Sequence, residues 1–295
     1  MARCQSPGKV APGAVRPRAW ARWRSGGCSV SSQRHTGRVV VVTGGGSGIG
    51  LATASRFAVE GASVYIVGRD ESKLTQACQQ LLDSRGVKVT PLTGDISDPA
   101  SMAAAAAVVN DRETGVDVVI NNAGLASPST PADDDDFITD LRDRLSIDVI
   151  GTAVTTAAFV PFLRRGGSVL NMGSVYATTA ASGTASYSAA KSAIIGLTRT
   201  LAVELGPRGI RVNCVSPGWV DVPKWDDYFD EPTLRHLRGD FTRVPLRAAV
   251  TADEIAALYA FLAHEDAAAI SGQDIVVDRG MSADLYVSQT VPGLA

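Results

Sequence analysis

The 295-residue sequence predicts an α/β fold: a doubly wound parallel sheet of about seven strands with helices on both faces. Apolar, β-branched runs alternate with helical segments from residue 38 onwards, and most runs are apolar at consecutive positions. Strands of that kind are buried on both faces, as in parallel sheets whose crossover helices cover each side. Since no linker divides this part of the chain, we predict a single domain over residues 37–285.

The elements follow in a regular order. The run "RVVVVTG" ends in glycines and is followed by the helical "GIGLATASRFAVEG" and the buried strand "ASVYIVGRD", which together form a βαβ unit. Later strands are predicted at "VKVTPLTGD", "VDVVINNAG", "GSVLNMGS", "IRVNCVSPG" and "DIVVD". Helices are predicted at "ESKLTQACQQLLDSRG", "DPASMAAAAAVVNDRETG", "LRDRLSIDVIGTAVTTAAFVPFLRRG", "SYSAAKSAIIGLTRTLAVELGPRG" and "TADEIAALYAFLAHE". The longest helix is placed at 138–163, and the acidic run 133–136 before it is expected to face the positive end of the helix dipole.

The first 36 residues have a different composition. They are rich in arginine, and the first acidic residue of the chain is Glu60. Arg-rich, acid-free segments are typical of mitochondrial transit peptides, but Pro7, Pro12 and Pro17 would break the amphipathic helix that such a peptide needs. We therefore predict a disordered extension and a cytoplasmic protein, with a mitochondrial location as the alternative, and a short tail over 286–295.

Composition excludes several classes of function. The net charge of −2 gives no reason to expect a nucleic-acid partner, and the apolar runs are shorter than the roughly 18 to 20 residues of a membrane span. The four cysteines and three histidines are scattered without metal-ligand spacing, so we expect neither a metal nor a disulfide framework.

A glycine-rich loop lies between the first strand and the first helix. In "VVVVTGGGSGIGLATA", Gly44, Gly48 and Gly50 allow a sharp turn, the approach of the backbone to a pyrophosphate, and close packing of the new helix. Phosphates then bind at the helix N-terminus. The strand, turn and helix context makes this loop a predicted dinucleotide site.

The spacing T-G-x-x-x-G-x-G from Thr43 to Gly50 resembles the classical short-chain dehydrogenase/reductase family, and in particular its 3-oxoacyl-ACP reductase-like members. Three later motifs agree with it in order and distance: "NNAG" at 121–124, Ser174 ahead of "YSAAK", and "SPGWV" at 216–220. The resemblance covers about residues 37–282 and implies a single-domain Rossmann fold. It also implies an NAD(P)-dependent oxidoreductase that transfers a hydride between nicotinamide and a ketone or secondary alcohol.

The resemblance assigns the chemistry to Ser174, Tyr187 and Lys191. Tyr187 is expected to be the general acid or base, and Ser174 to bind the carbonyl or alcohol oxygen. Lys191, four residues after Tyr187, would favour the phenolate and hold the nicotinamide ribose. Asp148 occupies the position of the family's asparagine, where its charge is expected to pair with Lys191 and to alter the pH profile without abolishing activity.

The end of the second strand favours NADP over NAD. Gly68 stands where an acidic residue would bind both ribose hydroxyls, and Arg69 beside it offers a guanidinium to a 2′-phosphate. Asp70 keeps NAD open as the alternative. If the alignment of this strand end were shifted by two residues, Asp70 would stand at the position beside the ribose. The other predicted cofactor contacts are Thr43, Gly44, Ser47, Gly48, Ile49, Gly50, Asp95, Ile96, Asn122, Ala123, Gly124, Tyr187, Lys191, Pro217, Gly218 and Val220.

Two further departures from the family pattern are Val222, where a threonine is frequent, and Arg279, where a glycine is usual. Together with Asp148 they keep a second function open, a nucleotide-binding sensor with weak or no catalysis. An epimerase or dehydratase is disfavoured by the glycine spacing. The aromatic residues Trp219, Trp225, Tyr228 and Phe229 are expected to lie in a substrate lid, where they line a pocket or pack the lid onto the body.

The family resemblance also implies a homotetramer, or a homodimer, formed through the helices at 138–163 and 188–205. Small residues in "GTAVTTAAFV" and "AAKSAIIGLT" would let such helices approach closely, but these faces are equally suited to pack on the sheet.

Overall fold

The structure is a computed structural model, and it describes residues 33–125, 127–222, 226, 230–232, 234–235, 241 and 244–283. The predictions for residues 1–32, for the tail 286–295 and for Trp225, Tyr228 and Phe229 lie outside the described residues.

Seven parallel strands form one sheet, as predicted. In chain order they are β1 (Val39–Thr43), β2 (Ser63–Gly68), β3 (Thr90–Thr93), β4 (Val116–Asn121), β5 (Leu163–Met172), β6 (Arg211–Pro217) and β7 (Asp274–Val277). Their spatial order is β3-β2-β1-β4-β5-β6-β7, with parallel pairing throughout. The order reverses between β1 and β4, which in doubly wound folds places a ligand crevice beyond the carboxyl ends of these strands.

Helices cover both faces of the sheet. They are α1 (Gly48–Val59), α2 (Glu71–Arg85), α3 (Pro99–Glu113), α4 (Phe137–Arg144), α5 (Gly151–Phe159), α6 (Ala185–Leu205) and α7 (Ala252–Ala263). Alternate residues of β1 point to opposite sides: Val40 and Val42 join the core with Phe57 of α1, while Val41 joins the core with Phe159 of α5. These two apolar layers confirm a sheet that is buried on both faces.

The long helix predicted at 138–163 is present as one helical segment, Phe137–Phe162, but its winding is not α-helical throughout. Helix α4 ends at Arg144, a π-helical turn spans Leu145–Ile150, and α5 follows before a 3₁₀ turn at Val160–Phe162. Strand β5 then begins at Leu163, inside the segment predicted as helical, because Leu163 pairs with Val116 and the chain has left the helix at the proline turn. A sequence pattern with a period of 3.6 residues does not reveal a turn that holds one residue more.

Residues 33–36, predicted to lie in the extension, belong to the body of the domain. His35 is fully buried against Phe57 and lies 3.1 Å from the carbonyl oxygen of Ala260. Arg34 binds Glu60 at the end of α1, with 2.8 Å between Nη2 and Oε1. The domain therefore begins at least four residues before the predicted boundary.

The helical segment Phe137–Phe162 has the length and mean hydropathy that a membrane span would need. It also contains the fully buried charged residues Arg144 and Asp148. In this fold the segment packs against the protein's own α3 and α6, which is the usual environment of a core helix in an α/β protein.

Candidate active site

A cavity of about 680 Å³ opens beyond the carboxyl ends of the strands, near the reversal in strand order. The predicted residues that line it are Ile49, Asn122, Gly124, Ser174, Tyr187, Lys191, Pro217, Gly218 and Val220. The structure thus brings the glycine loop and the "NNAG", "YSAAK" and "SPGWV" segments, far apart in the chain, to one cavity.

The glycine loop turns tightly between β1 and α1. Gly44 has a φ of +67°, which L side chains rarely adopt, and a Cβ at Gly50 would collide with the carbonyl oxygen of Gly44. The hydroxyl of Ser47 makes no capping hydrogen bond to α1. The first N–H groups of that helix are therefore left for a ligand or solvent, and the loop fits a bound pyrophosphate.

Thr43 and Asn122 hold the loop to the end of β4. The Thr43 hydroxyl accepts hydrogen bonds from the backbone N–H groups of Asn122 and Ala123, both at 3.1 Å. The Asn122 side chain donates to the carbonyl oxygen of Thr43 at 3.0 Å. Thr43 is almost fully buried, so its side chain orders the two loops, and a direct cofactor contact from it stays a prediction.

Ser174, Tyr187 and Lys191 stand on the wall of the cavity. Ser174 lies two residues after the end of β5, while Tyr187 and Lys191 lie one turn apart at the start of α6. The Lys191 ammonium is 5.5 Å from the centroid of the Tyr187 ring. The ring also packs edge to face on Tyr176, with 6.3 Å between the centroids.

Asp148 pairs with Lys191, as predicted from its position. Oδ2 of Asp148 is 3.3 Å from Nζ of Lys191, and both side chains are buried. Oδ1 accepts a hydrogen bond of 2.7 Å from the backbone N–H of Leu125. Burial alone would lower the pKa of Lys191, but the Asp148 carboxylate and the nearby Tyr187 outweigh it and raise that pKa, so the ammonium is kept charged.

The predicted adenosine end of the site contains Arg69 and Asp95. Both follow neighbouring strands, β2 and β3, and the Arg69 guanidinium is close enough to act on the Asp95 carboxylate. Hydrogen bonds from Ser97 lower the pKa of Asp95, and Arg69 adds a smaller effect in the same direction. Asp70 instead caps α2, since its carboxylate accepts a hydrogen bond of 3.0 Å from the backbone N–H of Lys73.

A family model described as enoyl-(acyl carrier protein) reductase matches residues 33–282. The chain is 33% identical over 252 residues to 3-oxoacyl-[acyl-carrier-protein] reductase FabG of Chlamydia muridarum, covering 83% of this chain and 97% of that protein. It is 33% identical over 263 residues to levodione reductase of Leifsonia aquatica, covering 86% of this chain and 98% of that protein.

Solved structures agree. A short-chain dehydrogenase from Burkholderia cenocepacia in complex with NADP superposes with a TM-score of 0.75 at 31% identity, covering 85% of this chain and all of that one. Levodione reductase superposes with a TM-score of 0.78 at 32% identity, covering 85% of this chain and 99% of that one.

The chain belongs to the short-chain dehydrogenase/reductase family. It is accordingly an NAD(P)-dependent oxidoreductase that acts on a small molecule with a ketone or secondary alcohol group. The family assignment agrees with the seven-stranded Rossmann fold and with the order of the motifs along the chain.

Two departures from the pattern of this family have a local explanation. Arg279 replaces a usual glycine at a φ of +57°, a conformation that glycine adopts without strain. Its guanidinium donates to the carbonyl oxygen of Ala249 at 2.8 Å and pairs with both carboxylate oxygens of Glu254 at 2.6 and 2.8 Å. Val222 lines the cavity and faces Gly48 of the glycine loop.

The remaining predicted positions differ in their surroundings. Ile96 packs on α5, where a Cβ at Gly151 would lie 2.7 Å from its Cδ1. Gly124 lies against the Asp148 carboxylate, and a Cβ at Gly124 would lie 2.8 Å from Oδ1, which leaves no room for a side chain. Trp219 lines the cavity, as expected for the described part of the predicted lid.

Two residues beside the site were not predicted from the sequence. Arg144 is fully buried, and its Cζ lies 5.6 Å from the centroid of the Tyr187 ring. Asp140, one turn earlier on α4, pairs with it. The only sequence signal is an acid and a base four residues apart, which ordinarily indicates a surface ion pair on a helix.

Proposed function

We propose that the chain is an NADP-dependent reductase or dehydrogenase of ketones and secondary alcohols, in which Tyr187 exchanges a proton with the substrate oxygen. One observation carries the proposal: Ser174, Tyr187 and Lys191 share a wall of the cavity that the glycine loop also borders. A hydroxyl donor, a phenol and a buried ammonium are the groups that a carbonyl oxygen needs as it gains negative charge.

Each side chain has a distinct task in this mechanism. When bound, the nicotinamide supplies or accepts the hydride. Ser174 holds the substrate oxygen by a hydrogen bond, and Tyr187 donates the proton in reduction or takes it in oxidation. Lys191 keeps positive charge beside the phenol, and Asp148 keeps Lys191 protonated.

The chain's own residues favour NADP over NAD at the ribose end. Arg69 is exposed after β2 and offers a bidentate partner for a phosphate, while Gly68 offers no carboxylate to repel it. Asp70 is already engaged as the cap of α2. Replacing Arg69 by Asp is expected to raise the Kd of NADPH by about tenfold or more while the Kd of NADH changes less.

The substrate is proposed to be a ketone flanked by an apolar group. The apolar residues Leu125, Pro128, Val175 and Trp219 line the cavity together with the polar Ser174 and Tyr187, a combination that suits an apolar group beside a carbonyl. The similarity to a 3-oxoacyl-[acyl-carrier-protein] reductase and to levodione reductase supports 3-oxoacyl thioesters and levodione as the first compounds to test.

The test is the consumption of NADPH, with NADH in parallel, across ketones, 3-oxoacyl thioesters and sugars, with Tyr187→Phe as the matched blank. Turnover that is lost in Tyr187→Phe supports the proposal. If no substrate is turned over while NADPH still binds tightly, the nucleotide-sensing function takes its place, and the Asp148–Lys191 pair becomes the feature that separates this chain from active relatives.

We also propose a cytoplasmic location, with a mitochondrial location as the alternative.

We further propose a homotetramer or homodimer formed through α5 and α6. Ile150, directly before α5, and Val203 of α6 are 54% and 77% exposed in the single chain, and burial of these apolar side chains would favour association through the two helices. Val203→Asp is expected to lower the mass measured by light scattering; an unchanged mass would exclude this face.

A further inference from the structure

Helix α4 carries a buried ion pair that is not part of the cavity surface. Nε of Arg144 lies 2.9 Å from Oδ1 of Asp140, one turn earlier. Arg144 is fully buried, and Asp140 is largely so. Burying a guanidinium is unfavourable unless an opposite charge and hydrogen-bond acceptors surround it. The groups that Asp140 and Arg144 contact therefore indicate which parts of the protein the pair holds in place.

One set of contacts reaches the wall of the cavity. Nη2 of Arg144 donates hydrogen bonds to the carbonyl oxygens of Ser127 at 2.9 Å and of Pro128 at 2.8 Å. Asp140 accepts one from the backbone N–H of Thr130 at 3.2 Å. Ser127 and Pro128 line the cavity, so the pair holds this part of its wall by the backbone.

The other set of contacts reaches the start of α6. The Asp140 carboxylate accepts a hydrogen bond from the hydroxyl of Ser186, the residue directly before Tyr187. The Arg144 guanidinium lies over the Tyr187 ring, and the Lys191 ammonium also lies over this ring. A cation over an aromatic face is attracted to it, and the attraction is stronger away from water.

We propose that the Asp140–Arg144 pair is a positioning device, which fixes the cavity wall at 127–130 and the ring of Tyr187 in one arrangement. The inference rests on the proposed function, because it takes Tyr187 to be the proton-transfer residue. Neither Asp140 nor Arg144 lines the cavity. Their effect on the reaction is therefore indirect, through the wall that orients the substrate and the ring that meets its oxygen.

The device predicts a defined kinetic defect. Without the guanidinium, both the wall and the ring gain freedom, so substrate binding weakens and the fraction of productive encounters falls. A displacement of about 1 Å between reacting groups can cost about 100-fold in rate. Among the described residues, the hydrogen bonds and charge contacts of the pair involve neither the glycine loop nor Arg69. The predicted phosphate contacts of NADPH therefore stay intact and its Kd is expected to change little, although Tyr187 is itself a predicted cofactor contact.

The experiment compares Arg144→Met and Arg144→Lys with Arg142→Met, an exposed arginine of the same helix. For each variant kcat, KM, the Kd of NADPH and the melting temperature are measured, with Tyr187→Phe alongside. We expect Arg144→Met to lose about 100-fold in kcat/KM, through both a lower kcat and a higher KM, with the Kd of NADPH within about twofold. Arg144→Lys should recover part of the loss, and Arg142→Met should match the wild type.

Equal kcat/KM for Arg144→Met and Arg142→Met, with Tyr187→Phe inactive, would overturn the inference and leave the proposed function intact. Turnover in Tyr187→Phe would instead overturn the proposed function. If Arg144→Met fails to fold or to bind NADPH, Ser186→Ala decides the question, because it removes only the hydrogen bond to Asp140. A lower kcat in that variant supports the device, and an unchanged kcat and KM reject it.

Discussion

Replacing Asp148 by asparagine keeps the shape of the side chain and removes the charge that faces Lys191. In the wild type, Oδ1 of Asp148 accepts from Leu125 and Oδ2 lies 3.3 Å from the ammonium. An amide presents one oxygen and one NH₂ group to these two donors. One of the two donors therefore loses its acceptor in Asp148→Asn, whichever way the amide is turned.

The size of the effect follows from the geometry. Opposite charges 3.3 Å apart attract by about 5 kcal/mol at an effective dielectric constant of 20, and breaking a buried pair on one side typically costs about 3–5 kcal/mol. At about 1.36 kcal/mol per pH unit, this corresponds to two pH units or more. The pKa of Lys191 is raised in the folded protein, so the stability from the pair is present below the ordinary value of 10.5 and is lost as the pH rises through the higher folded value.

The assay is kcat/KM for alcohol oxidation between pH 6 and 11, together with the free energy of unfolding at pH 7. A carboxylate favours the protonated form of a neighbouring group, so its removal is expected to move the limb of the pH–rate profile that Lys191 controls about two units towards lower pH. The unfolding free energy at pH 7 should fall by about 3 kcal/mol. Asp143→Asn, an exposed aspartate in the same helix, is the control.

Superimposable profiles for the wild type and Asp148→Asn, with the Tyr187→Phe rate still abolished, would refute the coupling between the ion pair and the proton transfer. A profile that moved towards higher pH would refute the sign of the argument.

Two further predictions concern stability. Arg279→Gly is expected to change the unfolding free energy by less than about 1 kcal/mol, because glycine relieves the strain of the left-handed backbone while the ion pair with Glu254 is lost. Arg279→Ala loses the same ion pair and keeps the strain, so it should lower the unfolding free energy by about 1–2 kcal/mol more. A larger loss in the glycine variant, measured by chemical denaturation, would contradict this. Burial lowers the pKa of His35 from 6.5 to about 4 against the opposing Glu60 charge and Ala260 hydrogen bond. The unfolded state then takes up more protons, so stability should fall by about 3 kcal/mol as the pH drops from 6.5 to 4, and His35→Gln should flatten that slope.

The sheet and the cofactor loop were predictable because their signals are local. The β-branched runs predict strands without any knowledge of their neighbours, and all seven appear in the sheet. The spacing of Gly44 and Gly50 predicts that the backbone comes close to itself in this loop, and in the structure a Cβ at Gly50 would collide with the carbonyl oxygen of Gly44. The pairing of Asp148 with Lys191 was predictable only because the family resemblance placed both residues at one site.

The buried pair on α4 was not predictable in the same way. Asp140 and Arg144 have the spacing of a solvated ion pair, and only the tertiary structure reveals that the segment 127–130 and α6 exclude water from them. The π-helical turn in the long helix was not predictable either, since Leu145–Ile150 contains no proline or glycine that would indicate it. Residues 33–36 were assigned to the extension because their composition matches it, although His35 is fully buried and contacts the backbone of α7 at Ala260.

The π-helical turn gives the helical segment a defined phase. Such a turn contains one residue more than an α-helical turn, and each residue of an α-helix rotates the chain by about 100°. The wider turn absorbs the extra residue, so α4 and α5 keep the faces that they would have in a regular helix one residue shorter. An inserted residue that no such turn absorbed would rotate α4 by about 100° relative to α5 and take Arg144 away from the Tyr187 ring. The direction in which Arg144 points is thus set by the width of one helical turn as well as by the number of residues before α5.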